Sequence, residues 1–223
     1  MMEKDISKTL STAANALGIT LGAKEVSQFT TYYNELLKWN EKINLVSVKS
    51  ELDIPMKHFI DSLTLLPFIK NKKGRFLDIG SGAGFPGVPL KIVLNSLKVS
   101  LLESSRKKSS FLKHIIRSLK LTDIFVITSR AEGLMENKSY RGCFDTVTSR
   151  ATFKLPEYLQ MGAFFLSESG ILIAMKGKKA DEEVTEAAGM SQTLGLKYIL
   201  SQEITLPFTG DFRRIIIYEK SSL

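Results

Sequence analysis

The segment Phe76-Leu77-Asp78-Ile79-Gly80-Ser81-Gly82-Ala83-Gly84-Phe85-Pro86-Gly87 carries the most chemistry in this chain. An apolar strand runs into a loop in which glycines let the backbone turn sharply and approach a ligand with no Cβ in the way. A helix beginning near Pro86 then offers free amide groups. The next apolar run ends in an acid, Glu103. In a doubly wound fold, a carboxylate about 20 residues beyond such a loop accepts hydrogen bonds from the hydroxyls of an adenosine ribose. These features predict an adenosine-containing cofactor at the carboxyl edge of a sheet. The glycines leave the cofactor class open, because Gly82, Gly84 and Gly87 also satisfy G-x-G-x-x-G. A P-loop is excluded, since no Lys followed by Ser or Thr completes the loop.

Such a loop needs a sheet behind it. Short apolar runs at Arg75 to Ile79, Val99 to Glu103, Ile124 to Thr128, Phe144 to Thr148 and Gly170 to Met175 alternate with segments of helical length, for instance Arg106 to Leu119. This is repeated βαβ with a mostly parallel sheet. Tyr198 to Thr205 and Arg213 to Glu219 are separated only by a loop holding Pro207 and Gly210, which predicts antiparallel neighbours. In residues 1–70, Val26, Phe29, Tyr33, Leu36, Leu37 and Trp39 recur at helical spacing, and Phe59, Leu63 and Leu66 repeat the pattern. The expected organisation is a helical cap over 1–70 and a Rossmann-like domain over 71–223.

The chain has 223 residues, 43% hydrophobic and 24% charged, with 15 Gly and 6 Pro, which excludes collagen-like and largely disordered classes. No apolar run reaches the roughly 18 to 20 residues of a membrane span, and the N-terminus lacks the order of a signal peptide, so a cytoplasmic protein is expected. Cys143 with His58 and His114 offers no set spaced for zinc, and no metal is expected. Residues 1–70 balance acidic and basic side chains, so the whole net charge of +8 lies in residues 71–223. The densest basic segment runs from Arg106 through Lys107, Lys108, Lys113 and Arg117 to Lys120. A field of that sign favours a polyanion such as nucleic acid, or an anionic membrane surface, while a solvated helix face carries the same charge and names no partner.

Asp78 stands two residues before Gly80 in an Asp-x-Gly-x-Gly-x-Gly order, which resembles motif I of the class I methyltransferases that use S-adenosylmethionine. The closing antiparallel pair resembles their reversed last strand. Methylation of exocyclic amines calls for Pro-Pro-aromatic after the fourth strand, where this chain has Ser149-Arg150-Ala151. Cytosine C5 methylation needs a placed thiol, but Cys143 precedes that strand and is read as a packed or surface thiol. An acceptor needing little help with deprotonation remains, and guanine N7 is one. A methyltransferase for a small molecule or protein, and an RNA-binding protein that senses S-adenosylmethionine without turning it over, stay open; a dinucleotide-dependent oxidoreductase trails them.

Leu37 to Leu45, His58-Phe59-Ile60-Asp61-Ser62-Leu63, the Asp78 to Gly87 loop with Val88-Pro89-Leu90, Ser129-Arg130-Ala131-Glu132, Ser149-Arg150-Ala151 and Lys176-Gly177 together resemble the motifs of the RsmG (GidB) family. The resemblance implies a bacterial methyltransferase that uses S-adenosylmethionine to methylate guanine N7 in a loop of 16S ribosomal RNA. It implies cofactor contacts at Gly80, Phe85, Ala131, Glu132 and Arg150, beside Asp78, Gly82, Gly84 and the ribose acid Glu103. Ala131 and Glu132 fall where the fold frames adenine. Arg150 is expected to hold the cofactor carboxylate or an RNA phosphate. The lone pair of N7 needs no general base, so no catalytic residue is named. Phe85 or Phe153 could stack on a base, with core packing the preferred role for Phe153. Phosphate contacts are expected from the basic run Arg106 to Lys120, Arg106, Lys107 and Lys108 first, with Lys176, Lys178, Lys179, Arg213 and Arg214. His58, Asp61 and Ser62 form a polar group that cannot be a catalytic triad, since they share one helix, and are read as a capping or domain-docking network in preference to an RNA contact. The expected partner is 16S ribosomal RNA or the small subunit, bound by a monomer, with no membrane.

Overall fold

The computed structural model describes residues 2–48, 50, 52–150, 153–177 and 180–221, with side chains from residue 6 onward. Seven strands form one sheet: β1 (Arg75–Ile79), β2 (Lys98–Glu103), β3 (Ile124–Thr128), β4 (Phe144–Arg150), β5 (Leu166–Lys176), β6 (Leu196–Thr205) and β7 (Phe212–Lys220). Their order is β3-β2-β1-β4-β5-β7-β6. Pairs among β1 to β5 are parallel, while β7 is antiparallel to both β5 and β6. The antiparallel neighbours expected from the short connection are present. The sequence did not specify that β7 inserts between β5 and β6, a choice made by side chains far apart in the chain. Ile215 and Ile217 join the apolar layer on one face of the sheet, and Ile216 and Tyr218 join the other. A strand buried on both faces belongs in the interior of a sheet, not at its edge.

Helices cover both faces. On one lie α1 (Met2–Ala16), α2 (Ala23–Asn40), a π-helical segment Pro55–Ile60 that runs into α3 (Asp61–Leu63), α4 (Gly87–Val93) and α5 (Arg106–Ser118). On the other lie α6 (Ala131–Met135), α7 (Leu155–Phe165) and α8 (Ala180–Thr193). The helices of residues 1–70 share one apolar cluster with α4, α5 and the sheet: Phe29, Tyr32 and Phe59 pack with Phe85, Val88 and Phe111. Ring centroids lie 5.0 Å apart for Phe29 and Phe59 and 5.5 Å for Tyr32 and Phe85. Aromatic contacts of this kind add to the burial term and fix the angle at which the cap meets the sheet. Among the described residues, no helix is long and apolar enough to cross a membrane.

Strand bounds follow the apolar runs closely at β1 and β3. β4 continues to Arg150, and β5 starts already at Leu166, directly after α7. The polar Ser167 and Glu168 hid that start, because they lie where one end of β5 is open to solvent. Parallel strands end together at one edge, here at Ile79, Glu103, Thr128, Arg150 and Lys176, and ligands of open α/β sheets bind at that edge.

Candidate active site

After β1 the chain makes the predicted turn. Gly80, Gly82 and Gly84 hold φ of 73°, 58° and 101°, a region that L side chains avoid. The Gly80 N–H donates to Leu102 O at 2.9 Å, and the Ser81 hydroxyl donates to Asp78 O at 2.9 Å. Glu103 completes the loop. One carboxylate oxygen accepts from Gly82 N at 2.8 Å and the other from Ser105 N at 2.7 Å. The long side chain thereby braces the glycine turn while its remaining lone pairs face the cleft that it lines.

Asp78 plays another part. Its side chain is fully buried, and one oxygen accepts from Gly87 N at 2.9 Å, tying the strand end to the first turn of α4. The other oxygen has no hydrogen-bond partner among the described residues. Burial pushes its carboxyl up to about 7. A Cβ at Gly87 would stand 2.4 Å from Leu101 Cδ2 and 3.0 Å from Asp78 Oδ2, so the closeness of helix and strand requires a glycine there.

A cleft of about 430 Å³ opens above these groups, lined by Gly80, Gly82 and Glu103 on one side and by Arg130, Ala131, Glu132 and Phe153 on the other. Chain segments far apart in sequence meet there, as expected for a site at strand ends. Its chemistry suits an adenosine: a mostly buried carboxylate for ribose hydroxyls, glycine backbone without Cβ, and an aromatic wall. The aromatic in that wall is Phe153, for which packing was the preferred role. Phe85 is 3% exposed and stacks between His58, at 4.9 Å, and Tyr32, at 5.5 Å. It belongs to the seam between cap and glycine loop and does not line this cleft. Tyr32 crosses the same seam by donating its hydroxyl to Ala83 O.

A second cleft, of about 460 Å³, lies at the same edge, lined by Asp53, Lys57, His58, Asp61, Arg150, Lys176 and Arg213 among others. Arg150 donates to Asp61 Oδ2 and to Lys57 O, both at 3.1 Å, reaches His58 Nδ1 at 3.1 Å, and lies 5.0 Å over the Phe85 ring. Arg213 Nε lies 2.8 Å from Asp61 Oδ1. Asp61, with no exposed surface, is thus held between two guanidinium groups from β4 and β7. Burial still pushes its carboxyl upward against both cations. Burial and the Arg150 charge push the His58 imidazole down to about 3, so it is neutral and accepts from Arg150. Ser62 turns away and donates to His58 O at 2.6 Å.

The docking network inferred for His58 and Asp61 therefore exists, and its partners are Arg150 and Arg213. No local signal announced this, because the four residues meet only in the folded chain. The basic residues expected at phosphates divide into two kinds. Arg106 and Lys107 are exposed at the start of α5, and Lys108 lines the first cleft. Lys176 is 8% exposed, donating to Phe153 O and to Glu183 Oε2 at 2.7 Å, and holds the loop that carries Phe153. Arg214 is paired with Asp181 at 3.2 Å. Ala151, Lys178 and Lys179 lie outside the described residues. Cys143 is half-buried, with Sγ 2.9 Å from Ser139 O, and lines neither cleft.

Among solved structures, a SAM-dependent methyltransferase from Aquifex aeolicus superposes with a TM-score of 0.60 at 19% identity, covering 81% of this chain and 97% of that one. M. jannaschii TYW2 in complex with AdoMet gives 0.56 at 18% identity, covering 72% and 74%. These likenesses establish the fold of S-adenosylmethionine-dependent methyltransferases. In sequence, the Ribosomal RNA small subunit methyltransferase G of Syntrophus aciditrophicus is 47% identical over 210 residues, 94% of this chain and 87% of its own. The protein of the same name from Geotalea uraniireducens is 42% identical over 219 residues, 98% and 99% of the two chains. Residues 25–204 match the GidB family, described as rRNA small subunit methyltransferase G. With this match spanning the glycine turn, Glu103 and the whole lining of the first cleft, the chain belongs to the GidB family of S-adenosylmethionine-dependent rRNA small subunit methyltransferases.

Proposed function

We propose that the protein transfers a methyl group from S-adenosylmethionine to N7 of a guanine in 16S ribosomal RNA, acting as a monomer in the cytoplasm. The observation that carries the reading is the cleft in which Glu103, the glycine turn, Ala131, Glu132 and Phe153 converge beside a second, cation-rimmed cleft at the same sheet edge. When bound, S-adenosylmethionine would supply an electrophilic methyl on its sulfonium for transfer to an acceptor lone pair.

The chain's own residues position and enclose. Glu103 would accept from the ribose hydroxyls, and Gly80, Gly82 and Gly84 would let the backbone approach. Ala131 and Glu132 at the start of α6, with Phe153, would hold the adenine. Asp78 acts at one remove by holding Gly87 and the start of α4. Arg150 supports the wall of the second cleft, where its bonds to Asp61 and Lys57 fix the cap against the glycine loop. An N7 lone pair carries no proton, so the chain need supply no base; holding the reacting atoms about 3 to 3.5 Å apart accounts for most of the rate. Arg106 and Lys107 face solvent near the first cleft, and Lys108 lines it; all three suit RNA phosphates.

The test is methyl transfer from labelled S-adenosylmethionine to small subunits from cells lacking the gene, with the product nucleotide identified by mass spectrometry. N7-methylguanine in 16S RNA supports the reading; labelled subunits with another nucleotide would defeat the acceptor assignment. Replacing Arg106 and Lys107 by Ala should lower the slope of log affinity against log salt by about 0.7 per lost contact.

A further inference from the structure

Phe208 has two properties that folding alone does not reward. It is 68% exposed, the most of any exposed large hydrophobic side chain among the described residues. It also holds φ at 64°, a left-handed conformation that is strained for a bulky residue. The turn that carries it is braced from below. Leu206 is buried, its N–H donates to Asp211 O at 2.7 Å, and Asp211 N–H donates to Thr209 Oγ1 at 3.2 Å. A built turn therefore holds an aromatic ring out into solvent.

Topology decides where that ring stands. β7 is antiparallel to both β5 and β6, so β6 runs with β5 and ends at the edge where β1, β4 and β5 end. Lys176, at the end of β5, pairs with Arg214 near the start of β7. The turn between Thr205 and Phe212 thus rises from the ligand edge of the sheet. Arg213, just past the turn, lines the second cleft and grips Asp61. Asp211, within the turn, acts electrostatically on Lys57, another residue of that cleft.

A base that is to be methylated inside a cleft must leave its stack, and proteins that recognise unstacked RNA place aromatic rings against the exposed base faces. We propose that Phe208 is a base-stacking residue, packing its ring on an RNA base next to the target guanine and thereby setting the register in which that guanine enters the cleft beside Arg213. This rests on the ribosomal RNA methyltransferase reading. Phe208 is a positioning residue for RNA, with no contact to the cofactor.

The experiment compares Phe208→Ala, Phe208→Gly and Phe208→Tyr with the parent protein on unmethylated small subunits. The Ala and Gly variants should lose about fivefold or more in kcat/KM through KM for the subunit, the lower end of what stacking on one base is worth. Their affinity for S-adenosylhomocysteine should equal the parent's, and Phe208→Gly should melt no lower, because glycine relieves the strained φ. Phe208→Tyr should restore activity. Trp39 is the chain's only tryptophan, so Trp39→Phe combined with Phe208→Trp puts a single fluorophore at the turn, and its emission should be quenched by RNA. Ala and Gly variants with the parent's kcat/KM overturn the proposal, as does activity lost together with cofactor affinity. RNA binding without quenching overturns it too. A parent protein that methylates no ribosomal RNA defeats the functional reading instead.

Discussion

Replacing Glu103 by Gln tests the cofactor cleft most directly. The carboxylate, 7% exposed, accepts one backbone N–H on each oxygen, from Gly82 at 2.8 Å and from Ser105 at 2.7 Å. An amide has one acceptor oxygen, so in the same place its NH₂ must face one of the two N–H groups, donor against donor. A hydrogen bond to a charged group contributes about 1.5 to 3 kcal/mol, and leaving a buried donor unmatched costs a similar amount. The ribose hydroxyls lose an anionic acceptor by the same change. At about 1.4 kcal/mol per factor of ten, affinity for S-adenosylhomocysteine should fall roughly tenfold to a hundredfold. Glu103→Asp should also weaken binding, since a side chain shorter by one methylene cannot span from Gly82 to Ser105. Isothermal titration calorimetry gives the affinity, and urea unfolding of the same samples gives the stability. Unchanged affinity in both variants would refute the assignment of the ribose acid; a fall in stability alone would restrict Glu103 to bracing the loop.

Gly87→Ala should destabilise the protein by about 1 to 3 kcal/mol in urea, because its Cβ meets Leu101 and Asp78 where no space exists; a smaller loss would mean that α4 slides freely along β1. Asp61→Asn leaves Arg150 and Arg213 without their shared counter-charge, and since both keep some solvent contact the cost should be at the low end for a broken buried pair, about 3 kcal/mol. Unfolding free energy within 1 kcal/mol of the parent would show that this clamp does not hold the cap. The Asp78 carboxyl sits at about 7 in the fold against 3.8 as its ordinary value, so the folded chain holds that proton more tightly. Stability from this group is full below the ordinary value and is lost as pH rises through the folded one, by about 4 kcal/mol at 1.36 kcal/mol per pH unit. Asp78→Asn should therefore gain stability relative to the parent between pH 5 and pH 8; equal pH profiles in urea would contradict it.

The local features were legible in the chain: the glycine turn, the acid at the end of β2, the strand and helix periods and the short β6–β7 connection each depend on neighbours a few residues away. Backbone conformation and one-sided burial are set at that range, so composition and spacing report them. Other features arise where distant segments pack. Phe85 and Phe153 have the same side chain, yet helix α2 and His58 cover the first, while Lys176 holds the loop of the second at the first cleft. Arg150, expected at the cofactor carboxylate or an RNA phosphate, also braces the fold, because Asp61, 89 positions earlier, is buried against it. The sequence alone pointed to an adenosine-containing cofactor and to the carboxyl edge of the sheet, with the class supplied by resemblance. Tertiary structure decided which cations remain for a ligand and which neutralise buried acids, because desolvation and ion pairing depend on what surrounds a charge in space and leave no trace in the order of residues.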